Sequence, residues 1–320
     1  MRIADHGLRI SILNESAIRI PRSAFFVVLG LLVPVTAFAQ SPDLQGVWSN
    51  AIVTPLERPA AFADKPFFTE AEAAEFLKPE NIYARFRAVR DDVERTINTE
   101  IISESTEAEA KRVGADRRTS LIVDPPDGRL PARTPEARAK AIDSVISRPW
   151  RPADDPEDRT LSERCLMWGA GPPIIPLPYN NNVQIVQTRD YVMILNEMIH
   201  DVRIVPLDGR PHLPPSIRQW KGDPRGRWDG STLVVETTNF TDKTTVEGSG
   251  RALRVVERFT RTGPDALRYE FTVEDPAFAR QWSAAWTLTR ADGRIFEYAC
   301  HEGNYSMEMS LRGARTEEKK

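Results

Sequence analysis

Leu253-Arg254-Val255-Val256-Glu257-Arg258-Phe259-Thr260-Arg261, the turn signal Gly263-Pro264-Asp265, and Leu267-Arg268-Tyr269-Glu270-Phe271-Thr272-Val273-Glu274 read as two strands joined by a hairpin. The same grammar runs outward from this pair. Val183 to Gln187, Tyr191 to Met198, His200 to Val205, Thr232 to Thr238, Trp282 to Thr289 and Ile295 to Cys300 are short segments enriched in β-branched and aromatic residues, with turns such as Asp292-Gly293 between them. Eight strands with mostly hairpin-length links predict an antiparallel meander. Closing the meander removes its edges and makes a small barrel able to hold one ligand, with a two-sheet sandwich as the alternative.

Upstream the chain is mixed. Asp43-Leu44-Gln45-Gly46-Val47-Trp48 is a strand-like piece led by a turn, and Thr69-Glu70-Ala71-Glu72 is a capping box opening a helix to about Leu77, ended by Pro79. Residues 80 to 113 are highly charged with apolar positions at helical spacing, an amphipathic helix on the outside of the body. Ser120 to Val123 is a buried strand stopped by Asp124-Pro125-Pro126-Asp127-Gly128, and Thr134-Pro135 starts a helix to about Ser147. Pro149 to Pro178 holds seven prolines and no periodicity, and its apolar content predicts an ordered covering loop. The expected organisation is thus a signal over 1–39, an extension with helices over 40–148, the loop over 149–178 and the β-barrel domain over 179–320.

The signal expectation rests on order: Arg19 and Arg22, the 12-residue apolar run Ala24 to Val35, then Ala37-Phe38-Ala39, whose small residues suit a signal peptidase. A membrane-spanning helix needs roughly 20 residues, so no stable anchor is expected after cleavage, and the address is periplasmic or secreted. Cleavage removes four of 43 basic and two of 46 acidic side chains, leaving 39 against 44, a net charge of −5. That mildly acidic balance gives no electrostatic reason to hold nucleic acid. Cys165 and Cys300, 135 residues apart in an oxidising compartment, are expected to bond, the alternative being two buried thiols.

Several motifs carry a resemblance. Leu233-Val234-Val235-Glu236-Thr237-Thr238-Asn239-Phe240-Thr241-Asp242-Lys243 and Tyr298-Ala299-Cys300-His301-Glu302-Gly303-Asn304-Tyr305, with Tyr179 to Asn182 and Pro206 to His212, resemble a family of secreted bacterial proteins of unassigned function. The resemblance implies export and carries no activity with it. Gly46-Val47-Trp48 is similar to the G-x-W that opens lipocalin barrels, which makes the expected fold class mainly β with a lipocalin-like barrel and an N-terminal helical and irregular extension.

Three histidines follow the signal: His200, His212 and His301. Three imidazoles would suffice for an open zinc site, but H-x-H and H-E-x-x-H are absent, and separate structural roles are the simpler reading, so no metal or other cofactor is assigned. Alternation through Val192, Ile194, Asn196, Met198, His200, Val202 and Ile204 puts Asn196 and His200 inside the barrel, provided the strand does not break at Met198. His200 and His301 are then the candidate acid–base pair, sharing one pocket beneath the loop. Glu197, Asp201 and Arg203 fall on the opposite, solvated face. Glu236 and Glu257, flanked by apolar neighbours, are expected to pair with arginines. Tyr179, Asn180, Asn181, His212, Glu302 and Asn304 complete the candidate ligand-binding set with Asn196 and Glu236, although an asparagine run also forms turns through its side-chain amides.

G-x-x-x-x-G-K, G-x-S-x-G and G-x-G-x-x-G are absent, which disfavours nucleotide-dependent enzymes and serine hydrolases. Three functions fit these readings. They are a binding protein for a small apolar or aromatic molecule, a cofactor-free lyase, isomerase or hydratase using histidine and carboxylate chemistry, and a cell-envelope interaction module using the N-terminal helices. On the signal reading, N-terminal sequencing of exported protein should begin at Gln40; a retained Ala24 to Val35 segment would refute it.

Overall fold

A computed structural model of the protein describes residues 42–78, 117–139, 153–168, 171–177, 179–243 and 246–319. They fall in one unit, Ser41–Lys320. The signal segment, the helix expected over 80–113, most of the second expected helix and parts of the Pro-rich loop lie outside the described residues.

The strands are β1 (Gly46–Ser49), β2 (Ile122–Asp124), β3 (Asn182–Gln187), β4 (Tyr191–Asn196), β5 (Asp201–Pro206), β6 (Asp223–Asp229), β7 (Thr232–Thr238), β8 (Arg254–Gly263), β9 (Ala266–Glu274) and β10 (Trp282–Arg290). Among the described residues the complete helices are α1 (Glu70–Phe76) and α2 (Tyr305–Glu317). Nine strands run antiparallel in the order β5-β4-β3-β1-β10-β9-β8-β7-β6, and β2 takes the stretch of β10 edge that the short β1 leaves free. The chain is mainly β, a nearly closed antiparallel barrel. One of its strands, β1, comes from ahead of residue 179 and sits between β3 and β10.

Period-two burial explains the ring. In β9, Leu267, Tyr269, Phe271 and Val273 are buried while Arg268, Glu270 and Thr272 alternate with them, and β8 does the same with Val255, Glu257 and Phe259. The inward aromatics Trp48, Phe259, Tyr269, Phe271, Trp282 and Trp286 belong to one continuous core. Tyr269 and Trp286 meet edge-on at 5.0 Å, as do Phe271 and Trp282 at 5.4 Å. Gly46-Val47-Trp48 has a physical reason of its own. Arg290 crosses over Gly46, where a Cβ would come within 2.4 Å of its Nη1, donates to the Gln45 carbonyl at 3.0 Å, and lies 5.3 Å over the Trp48 ring.

A charge sits in this apolar interior. Arg203 of β5 donates to both oxygens of Glu257 of β8, at 2.5 and 2.9 Å, with both side chains essentially inaccessible. β5 and β8 are not neighbours in the sheet, so the pair crosses the lumen. Tyr269 donates to Glu257 Oε1 at 2.8 Å and accepts from the Ile174 backbone N–H at 2.9 Å. Burial, then the Glu257 charge, holds the Tyr269 hydroxyl well above its ordinary pKa, so it stays a donor. Against the desolvation that would lower it, Glu257 holds the Arg203 guanidinium above its ordinary range. Arg203 was expected on the solvated face. It is inside because the 3-10 turn Met198–His200, with Ile199 at φ 56° and His200 at φ 41°, breaks the long strand and reverses its phase. Asp201, Arg203 and Val205 therefore point inward, and Val202 and Ile204 are exposed.

Nine alternating strands leave β5 and β6 parallel where the ring meets, and side chains rather than a ladder join them. A Cβ on Gly226 of β6 would come within 2.7 Å of Val205 and 2.6 Å of Leu207. Lys221 forms an ion pair with the buried Asp201 and donates to the Val202 carbonyl at 3.4 Å. Burial nevertheless raises the Asp201 pKa.

The expected strand Ile295 to Cys300 is irregular, and β6 takes its place in the ring. Residues 295–300 alternate poorly, whereas Asp223–Asp229 reads as a turn because of Pro224, Gly226 and its charges, all tolerable in a strand at a seam.

Arg203→Met and Glu257→Leu, each alone, should lower stability by about 3–5 kcal/mol in urea unfolding, because each strands a buried charge. The double variant should recover most of that loss; additive losses would show that the pair is not coupled.

Candidate functional site

The barrel is covered at one end by the last part of the Pro-rich loop. Gly171, Pro172, Pro173 and Ile174 are all buried, and the Ile174 N–H reaches the Tyr269 hydroxyl described above. Gly171 has φ 102°, and a Cβ there would touch Arg203 Nη2 at 3.4 Å, so the loop stands directly over the ion pair.

Beside this plug lies a half-open cleft whose interior has about 10 Å³ free, room for about one water, lined by Asn50, Asn180, Asn181, Asn182 and Asn196 and by Ile174, Ile175, Leu177, Val183 and Met198. Its asparagines come from the end of β1, the start of β3 and the end of β4, three strands that are neighbours in the ring. Asn181 acts as a backbone mimic: its Oδ1 accepts from the Leu177 N–H at 2.7 Å and its Nδ2 donates to the Leu177 carbonyl at 2.6 Å. Asn50 accepts from the Trp286 indole at 2.7 Å, and its own N–H donates to the Asn181 carbonyl at 2.8 Å. Asn196 differs. It is 3% exposed, and its Nδ2 has no hydrogen-bond partner. An unmatched buried donor costs about 1–3 kcal/mol, so this amide has capacity to spare for a ligand.

Of the sequence candidates, Asn180, Asn181 and Asn196 line the cleft. Tyr179 packs edge-on against Trp168 at 5.5 Å, in a small cluster with Leu177, Met198, Ile199 and Tyr298 beside it. Asn304 donates to the Glu163 carbonyl at 2.7 Å and lies 3.5 Å from Cys165 Sγ. Cys165 and Cys300 are bonded, with Cα atoms 5.8 Å apart, tying the loop to the segment before α2. His200 is corrected: it is exposed outside the barrel, where Nδ1–H donates to the Tyr298 carbonyl at 3.0 Å. His301 and Glu302 are exposed just after the disulfide. Neither histidine lines the cleft, so the expected shared imidazole pocket is not what this end of the barrel contains.

His212 and Glu236 lie apart from the cleft, with His212 Nε2 4.0 Å from Glu236 Oε1. Among the described residues no three His, Cys, Asp or Glu side chains converge as metal ligands. The expected arginine partners exist: Arg203 for Glu257, and Arg254 for Glu236 through two bonds of 2.9 Å. Asn50 is a lining residue that sequence reading missed, since one asparagine after a four-residue strand carries no signal. No family model, curated protein or solved structure matches the chain.

Peptide mapping without reductant should recover the Cys165 and Cys300 peptides cross-linked, and the Cys165→Ser/Cys300→Ser variant should lose about 2–4 kcal/mol of stability. Free alkylation of both thiols would contradict the bond.

Proposed function

We propose that this protein is exported and binds a small molecule at the amide-lined mouth of its barrel. The observation that supports this is the buried Asn196 Nδ2 without a partner among the residues lining the cleft. The ligand reads as a compact molecule, or the tip of a larger one, that offers a hydrogen-bond acceptor such as a carbonyl to Asn196 and an apolar face to Ile174, Leu177 and Met198. The small interior, with room for about one water, suits the acceptor atom of such a tip, with the rest of the ligand lying at the open mouth. An apolar molecule deep in the lumen has less support, because the Trp, Phe and Tyr side chains already occupy that space. Export rests on the signal reading, and the disulfide is compatible with an extracytoplasmic compartment. The interaction-module alternative turns on a helix that lies outside the described residues.

Native mass spectrometry of protein recovered from its secretory compartment should show a retained small molecule that Asn196→Ala loses. The same variant should lose less than about 1 kcal/mol of unfolding stability, because relief of the unmatched buried donor offsets the lost packing. Equal retention by both proteins, or a large stability loss, would reject the site.

A further inference from the structure

His212 is held by its surroundings in a way that no requirement of the barrel explains. Its Nδ1–H donates to Asp223 Oδ2 at 3.0 Å, and the same oxygen accepts from the Leu213 N–H at 2.8 Å. Asp223, with a side chain 5% exposed, also accepts from Arg225 at 2.6 Å. The connection around the histidine is pinned on both sides: Arg225 Nε donates to the Pro211 carbonyl at 3.0 Å and Asn239 Nδ2 to the Leu213 carbonyl at 2.8 Å. The imidazole keeps 27% of its surface exposed, and its Nε2 faces the Glu236 carboxylate 4.0 Å away, too far for a direct bond. Glu236 does not compete for the proton. Hydrogen bonds from Arg254 hold its pKa below the usual carboxylate range, and Arg254 is itself tied to Glu274 at 2.8 Å.

We propose that His212 is a general base on the β6–β7 flank, set in the Nδ1–H tautomer by the positioning residue Asp223, and that it activates water for hydrolysis of small neutral esters. A carboxylate on Nδ1 orients the ring and leaves the Nε2 lone pair free. When Nε2 takes a proton, the new positive charge lies between Asp223 and Glu236, and both stabilise it. The charges around it, Asp223, Glu236 and Glu274 against Arg225, Arg227 and Arg254, balance, which suits a neutral substrate. No hydroxyl or thiol bonds to the imidazole among the described residues, so water is the nucleophile. In the step, His212 Nε2 removes a proton from water as the water oxygen bonds to the acyl carbon. The ester C–O bond then breaks with its electron pair on the leaving oxygen, and the imidazolium returns the proton, giving one acid and one alcohol per ester and water consumed.

The test uses p-nitrophenyl acetate and the full mature protein, with release of p-nitrophenol followed against buffer and against equimolar free imidazole. The wild type should exceed both. Its rate should rise with pH through one ionisation. His212→Gln should lose about 100-fold or more of the protein-dependent rate together with that pH step, in keeping with general-base contributions of about 10²–10⁴. Asp223→Asn should lower the rate about tenfold or more while circular dichroism stays native, and Glu70→Gln at the start of α1 should leave it unchanged. A wild-type rate no greater than free imidazole, or full activity in a folded His212→Gln variant, would overturn the proposal. If His212→Gln fails to fold, carbethoxylation of His212 in wild type by diethyl pyrocarbonate, mapped by mass spectrometry, decides instead: activity must fall in step with modification at His212, and retained activity would overturn the assignment.

Discussion

The ion pair between Arg203 and Glu257 is the constraint on which the rest of this structure depends. Two charges buried in an aromatic lumen need strong mutual bonding: the guanidinium bonds both carboxylate oxygens and Tyr269 adds a third bond to Glu257, while the buried Arg203 Nε has no partner. Because the partners stand on β5 and β8, the pair fixes the height of one strand against another that no ladder connects to it. β5 needs that. On its outer side it meets β6 with Gly226 and Lys221 and no backbone pairing, so interior contacts carry much of the burden of holding it in place.

The same network determines where a ligand has room. Tyr269 reaches from the carboxylate to the backbone of Ile174, so the covering loop is part of the core rather than a lid over an empty barrel. Trp48, Trp282, Trp286, Phe259 and Phe271 fill the interior, and among the described residues a small cleft remains where the plug meets the ends of β1, β3 and β4. Asn181 holds the plug through Leu177 and Asn50 accepts from Trp286, whereas the buried Asn196 Nδ2 has no partner. The His212 site is built differently. It lies on the outside, on the connection between β5 and β6, and its order comes from the carboxylate of Asp223 and from side-chain bonds to two backbone carbonyls.

Much of the scaffold was legible from local pattern. Strands β3, β4, β7, β8, β9 and β10 announced themselves by β-branched and aromatic content between turns, and α1 by its capping box, in which Thr69 accepts from the Glu72 N–H and the Glu72 carboxylate accepts from the Thr69 N–H. Each of these signals is contained within a dozen residues. β6 was not legible, since Pro224, Gly226 and four charged residues are turn chemistry unless the strand happens to sit at the seam. The candidate site was half legible. Asn180, Asn181 and Asn196 were found, while His200 was misplaced by a three-residue turn that inverted the phase of everything after it.

The sequence by itself determined the β character of this protein, its hairpins, its helix cap, the two cysteines that could pair and the carboxylates that needed arginines, because all of these follow from residue type and short-range spacing. The tertiary structure decided which arginine meets which carboxylate, how the ring closes, that the loop enters the barrel and that Asn196 is left without a partner. Those outcomes depend on side chains far apart in the chain arriving at one point, as Arg203 and Glu257 do across the lumen, and period-two alternation cannot say which strands will face each other once the sheet curls.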